Sequence, residues 1–148
     1  MKKSLQRLAL LMLAASISLG TVVAQAAEKS FAKHKVVLQI SDPNPFKQTL
    51  VLNVAGNLIK HYGEDDVDVE IVAFGPGLRL LMDGNSNTTR IDGLSLKGVR
   101  FSACENTMRN FGKKLGGQPK LNTHAKTVKA GVVQIIDLVN DGYILVKP

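Results

Sequence analysis

The run Val36-Val37-Leu38-Gln39-Ile40 limits the fold more than any other stretch. A strand with one wet face alternates apolar and polar residues, and this run does not. Such a strand needs cover on both faces, which is the situation inside a parallel sheet flanked by helices. The rest of the chain must therefore supply partner strands on either side and helices above and below.

The pattern that follows supplies them. Asp42-Pro43-Asn44-Pro45 is a loop, because prolines interrupt a ladder and bias their predecessors towards extended geometry. Asn44 is placed to cap a helix with Pro45 at its first position. Phe46–Tyr62 reads as that helix, with apolar rows Leu50, Val54, Leu58 and Val51, Ala55, Ile59. Gly63 closes it. Val67, Val69, Ile71 and Val72-Ala73-Phe74 form a second strand. Gly75-Pro76-Gly77 turns the chain into a short helix, Leu78–Met82, and Asp83–Asn87 is a loop. Thr88–Lys97 reads as a helix with Ile91, Leu94 and Leu96 towards the core.

Gly98 ends that helix. Val99, Phe101 and Ala103 then alternate with Arg100 and Ser102, which is a strand period. At Cys104 the period changes, and Thr107–Leu115 continues as a helix. Gly116–Asn122 is a polar loop and Ala125–Lys129 a short fourth strand. Gly131–Asp141 fits a strand through Val132-Val133 and Ile135-Ile136, and a helix through Val132, Ile135-Ile136 and Val139. The helix-ending signal Asn140-Asp141-Gly142 favours helix. Tyr143–Val146 is the last strand. Five strands alternating with helices predict a three-layer α/β/α sandwich with a five-stranded, mainly parallel sheet. No internal repeat or low-complexity tract interrupts it.

The first 26 residues read as an export signal. Lys2, Lys3 and Arg7 form a basic start, Leu8–Leu19 an apolar run, and Ala24-Gln25-Ala26 a small-x-small cleavage site. The rival reading is an uncleaved anchor, but the run is short for a bilayer. Cleavage after Ala26 would leave 122 of the 148 residues, starting at Ala27, as one domain in the periplasm or outside the cell. The three basic residues of the signal leave with it, taking the formal charge from +7 to +4. That mild balance, with no tryptophan and no basic run interleaved with aromatics, gives no case for nucleic acid. No stable membrane insertion is expected after cleavage.

Cys104 is the sole cysteine, so no intrachain disulfide is possible and the fold must rest on an ordinary core. A lone thiol in an oxidising compartment is a liability unless it is buried or useful. The thiol falls where a strand ends and a helix begins, the edge at which open α/β sheets collect ligands and reactive groups. A helix N-terminus lowers a thiol pKa, while Glu105 beside it acts the other way.

Three stretches resemble the DsrE/DsrF-like family of sulfur-relay proteins: Val72–Leu78, Gly98–Met108 and Gly131–Tyr143 with Pro148. The resemblance runs from Lys35 to Pro148, and Gly98–Met108 is its most specific part. It implies a homo-oligomer, trimer or hexamer, and a cysteine that carries sulfane sulfur as a persulfide. That role falls on Cys104. Sulfur-relay members usually work in the cytoplasm, so an exported copy departs from the family's pattern of partners.

Three accounts of Cys104 follow. It carries sulfur, taking it from a sulfane donor and passing it on by thiol attack, with a donor or acceptor protein or a small thiol as partner. It is an inert core residue of a non-catalytic binding or scaffold module. It belongs to a thiol redox enzyme, which would need a resolving cysteine from elsewhere. Asp42, Asn44, Gly75, Gly77 and Asn106 are candidates to line a pocket at the same sheet edge, although Asp42 and Asn44 also suit plain helix capping. The Gly75-Pro76-Gly77 turn matches neither common phosphate-binding fingerprint. His34, His61 and His124 are scattered without close partners, so neither a metal nor another cofactor is expected. No local motif suggests a Ser-His-Asp arrangement. Lys113, Lys114, Lys120, Lys126 and Lys129 read as a solvated basic face, or as one that attracts an anionic partner.

Overall fold

The computed structural model describes Lys29 and residues 31–148. The predicted signal, residues 1–26, and the expected mature start at Ala27 lie outside the described residues. The doubly covered run forms β1 (His34–Ile40), which pairs in parallel with β2 (Val67–Ala73) on one side and β5 (Ile144–Val146) on the other. That interior position explains why β1 does not alternate. The five strands run in the order β4-β3-β2-β1-β5, with β3 at Arg100–Cys104 and β4 at Ala125–Val128, and every pairing is parallel.

The topology decides which helices lie on which face. From β1 to β4 each step crosses the sheet in one direction, so right-handed crossovers place the intervening helices on one face. These are α1 (Pro45–Tyr62), the 3-10 helix Gly75–Leu81, α2 (Thr88–Leu96) and α3 (Glu105–Leu115). The return from β4 to β5 runs back past three strands, and it puts α4 (Gly131–Asn140) alone on the other face. The first face builds the main core, with Leu38, Leu52, Ile71 and Phe101 among its fully buried side chains. Each such side chain contributes about 1.5–3 kcal/mol. The second face is smaller: Val37, Val72, Ile135, Leu138 and Tyr143.

Local signals set most boundaries. The Asn44 side chain accepts from the Phe46 N–H at 2.9 Å with Pro45 in the first turn, and Gly63 closes α1 at φ 90°. Val51, Ala55 and Ile59 are buried as the spacing predicts, together with Leu52, while Leu50 is exposed. The inward face of α1 is thus rotated towards Leu52. Leu96 is 84% exposed, against the expectation that it faces the core. It lies two positions beyond Leu94, more than half a turn round the helix. The short helix after β2 is a 3-10 helix that starts at Gly75, not Leu78. A Cβ on Gly77 would sit 2.4 Å from the Ile40 carbonyl oxygen, so only glycine lets this segment lie against the end of β1. Gly131–Asn140 is a helix, with Gly131, Ile135 and Leu138 buried and Val132, Val133, Ile136 and Val139 exposed. Those outward apolar residues are what gave the segment its strand-like reading.

Candidate functional site

Cys104 ends β3 and caps α3, with no loop between them. The connection from β3 leaves to the α3 face and that from β4 to the α4 face. The carboxyl ends of β3 and β4 are therefore a point where the direction of winding switches, and such points open crevices in α/β sheets. Two helix N-termini meet there. The α4 N-terminus comes so near that a Cβ on Gly131 would lie 3.0 Å from the Phe74 Cβ and 3.3 Å from the Cys104 Cβ. Gly131 is the residue that permits the approach.

The thiol is 5% exposed. Burial pushes its pKa up. The Gly131 N–H, the Thr107 hydroxyl and the N–H groups of Thr107 and Asn106 act against burial, and the net direction is down from the ordinary 9.0. These are loose contacts to sulfur and do not form a strict helix cap. They still aim the positive ends of two helices at one atom. A second hydrogen bond orients Thr107. The Gly75 N–H donates to its Oγ1 at 2.9 Å, which leaves the hydroxyl proton for the sulfur. Gly75 adopts φ 52°, a conformation that favours glycine.

The residues expected to line a pocket divide into two groups. Gly75 and Asn106 lie at the thiol, Gly75 through Thr107 and Asn106 through its N–H. The Asn106 side chain is taken by Arg109. Asp42 lines a separate cleft of about 200 Å³ with Lys47 and Lys147, away from the thiol, while Asn44 and Gly77 serve the chain's own geometry. The Asp42 carboxylate accepts from the Asn44 N–H at 2.8 Å, and the Asn44 oxygen is spent on the α1 cap. Sequence reasoning missed Thr107 and Gly131. The only advance signal for Gly131 is a glycine at a helix start, where a better helix former would serve unless space were short.

A cleft of about 480 Å³ opens on the other side of Thr107 and Gly75, between the 3-10 helix and α3. Arg79, Phe111 and Lys114 also line it, and the Arg79 guanidinium lies 5.6 Å from the centre of the Phe111 ring.

Two further polar clusters were not legible in advance. Beneath α4, Arg100 bonds both oxygens of Asp68 at 2.8 Å, Glu70 at 3.0 Å and the Tyr143 hydroxyl at 2.9 Å. Ser102 and Gln134 donate to the other Glu70 oxygen, and Tyr143 donates to Asp68. Burial pushes the Tyr143 phenol up, and the Asp68 carboxylate adds to the rise. Burial works to lower the Arg100 pKa, but Tyr143, Asp68 and Glu70 raise it overall. Elsewhere Ser95 Oγ lies 3.0 Å from His124 Nδ1, and His124 Nε2 lies 3.4 Å from Asp92. The residue types are those of a nucleophilic triad, but Ser95 is buried and the Asp92 side chain is 44% exposed. A triad needs the reverse, an accessible nucleophile and a sheltered acid. The cluster ties α2 to the strand β4 approach. Among the described residues no group of three potential metal ligands occurs, and no helix is long and apolar enough to cross a membrane.

No family model matches the chain, and no curated protein matches it. Among solved structures it is similar to MTH1491 of Methanobacterium thermoautotrophicum, a protein of unknown function. The identity is 26% and the TM-score 0.69, over 78% of this chain and 99% of that one. It is also similar to the ychN protein of E. coli, at 12% identity and TM-score 0.60, over 79% of this chain and 99% of that one. The chain has a DsrE/YchN-like fold.

Proposed function

We propose that Cys104 carries sulfane sulfur as a persulfide. The observation that supports this most is the convergence of the α3 and α4 N-termini, with the Thr107 hydroxyl, on a single thiol. A neutral thiol is a weak acceptor and does not need such a set of donors; a thiolate does. The Cys104 thiolate attacks the outer sulfur of a donor R–S–SH. A bond forms from Cys104 Sγ to that sulfur, the R–S bond to it breaks, and R–S⁻ leaves. The product is Cys104–S–SH, with no net oxidant consumed. A thiol acceptor then takes the outer sulfur by the same exchange. One thiol suffices, whereas a disulfide redox cycle would need a second sulfur from another molecule.

The exposed apolar residues of α4 and β5, including Ile136, Ile144 and Leu145, support a further reading: the chain works as a homo-oligomer, trimer or hexamer. The basic-apolar-small pattern of residues 1–26 supports export to the periplasm. A second account of the thiol, an inert residue in a scaffold module, is favoured by its 5% exposure.

The deciding test is to incubate the protein with polysulfide or thiosulfate, remove the donor and weigh it before and after reductant. A gain of about 32 Da that reductant removes, and that Cys104→Ser lacks, supports the carrier. No gain from any donor, with slow alkylation of the native protein, leaves the scaffold.

A further inference from the structure

We infer that the cleft between the 3-10 helix and α3 binds the sulfur donor, and that this donor is a small organic persulfide bearing carboxylates. The inference rests on the carrier reading of Cys104 and adds the substrate class.

The wall between cleft and thiol is shared. Thr107 and Gly75 line the cleft, and Thr107 is also the hydroxyl that faces the Cys104 sulfur. A molecule seated in the cleft therefore lies one side chain from the thiol. Cys104 is 5% exposed and does not itself line the cleft, so a donor seated there must reach the sulfur past the Thr107 side chain, which a bulky group cannot do and a slim terminal atom can. The outer sulfur of a persulfide is such an atom.

The lining states the rest of the donor's chemistry. Arg79 and Lys114 are exposed cations with no carboxylate partner among the described residues. The Arg79 guanidinium lies 5.6 Å from the centre of the Phe111 ring, and a guanidinium stacked this way keeps its edge for a carboxylate in two parallel bonds. Phe111, Pro43 and Pro76 supply apolar surface. At about 480 Å³ the cleft has the volume of a site for an organic molecule, well beyond what a small inorganic anion fills. An anionic end on Arg79 and Lys114, an apolar stem across Phe111 and a sulfane end at Thr107 match a peptide-sized persulfide. In the transfer, the R–S⁻ that leaves stays in a cationic cleft, which favours its departure.

The test separates binding from chemistry. S-methylglutathione, which has no sulfur to give, is titrated into the Cys104→Ser protein and followed by NMR. It should bind, with shifts at Phe111 and Thr107. Reversing both charges (Arg79→Glu with Lys114→Glu) should weaken binding by roughly tenfold or more, and Arg79→Lys should weaken it less. In the protein with Cys104 intact, the rate of loading by glutathione persulfide relative to the neutral persulfide of 2-mercaptoethanol should fall by a similar factor in the double variant. Both cations are exposed, so the fold should survive, as circular dichroism would verify. Binding that ignores the charge reversal, or an unchanged ratio of loading rates, overturns the inference. Loading by thiosulfate through the same cations, without S-methylglutathione binding, overturns the organic donor. Charge-dependent binding of S-methylglutathione with no loading of Cys104 supports the cleft and refutes the carrier.

Discussion

Two polar clusters lie on the α4 side of the sheet, and they are built on opposite plans. The Asp68–Glu70–Arg100 cluster is closed. Its charges meet at 2.8–3.0 Å, Ser102, Gln134 and Tyr143 take up further oxygens, and among the described residues no buried side-chain polar atom is left without a partner. The Cys104 cluster is open: donors from two helices face an atom that carries no charge until it loses a proton. The first arrangement satisfies charge that is already there. The second waits for charge to appear, as a reacting group does.

The largest effect should come from breaking the closed cluster. Arg100→Met would leave two carboxylates buried without their cation, since the Arg100 side chain is 10% exposed and those of Asp68 and Glu70 are 0% and 4%. The expected loss is about 3–5 kcal/mol in urea unfolding. Cys104→Ser should cost about 1 kcal/mol or less by the same measurement, because volume and hydrogen-bonding capacity change little. Equal losses at the two sites would erase the distinction between them.

Gly131→Ala comes next. The added Cβ would meet Phe74 at 3.0 Å and Cys104 at 3.3 Å, so these side chains or the α4 N-terminus must give by a few tenths of an ångström. A cost of about 1–3 kcal/mol is expected, with slower alkylation of Cys104 at neutral pH as the Gly131 N–H moves away. Faster alkylation would mean that the approach of α4 shields the thiol more than it activates it. Thr107→Val is the finer test. It keeps the shape, removes the hydroxyl, and leaves the Gly75 N–H without its acceptor. Stability should fall by about 1 kcal/mol, and alkylation at neutral pH should slow by a few-fold.

How much of this could be read from the chain follows the reach of each signal. The end of β3 at Cys104 was legible because the period changes there, and the Asn44-Pro45 start of α1 because capping is local. The Arg100 cluster was not. Arg100 and Ser102 alternate with apolar residues, which reads as a wet face, and α4 covers that face only because the chain returns from β4 to β5. Arg100 pairs with Glu70 through strand register, over a separation of 30 residues. The Thr107–Gly75 bond likewise spans 32 residues. Asp42, Asn44 and Gly77 fall at the right edge of the sheet, but Asn44 and Gly77 serve the turn and Asp42 faces a different cleft from the one beside Thr107.

The contrast between closed and open clusters comes down to how Cys104 ionises, and ultraviolet thiolate absorbance of the folded protein against Cys104→Ser measures it directly. A thiol whose folded pKa lies below its unfolded one is ionised sooner in the fold. The stability this adds is complete above the unfolded pKa and is lost as pH falls through the folded one. The account predicts a titration midpoint below the ordinary 9.0, moved up by Thr107→Val and by Gly131→Ala. A midpoint at or above 9.0, unmoved by either substitution, would mean that burial prevails and that Cys104 is a core residue.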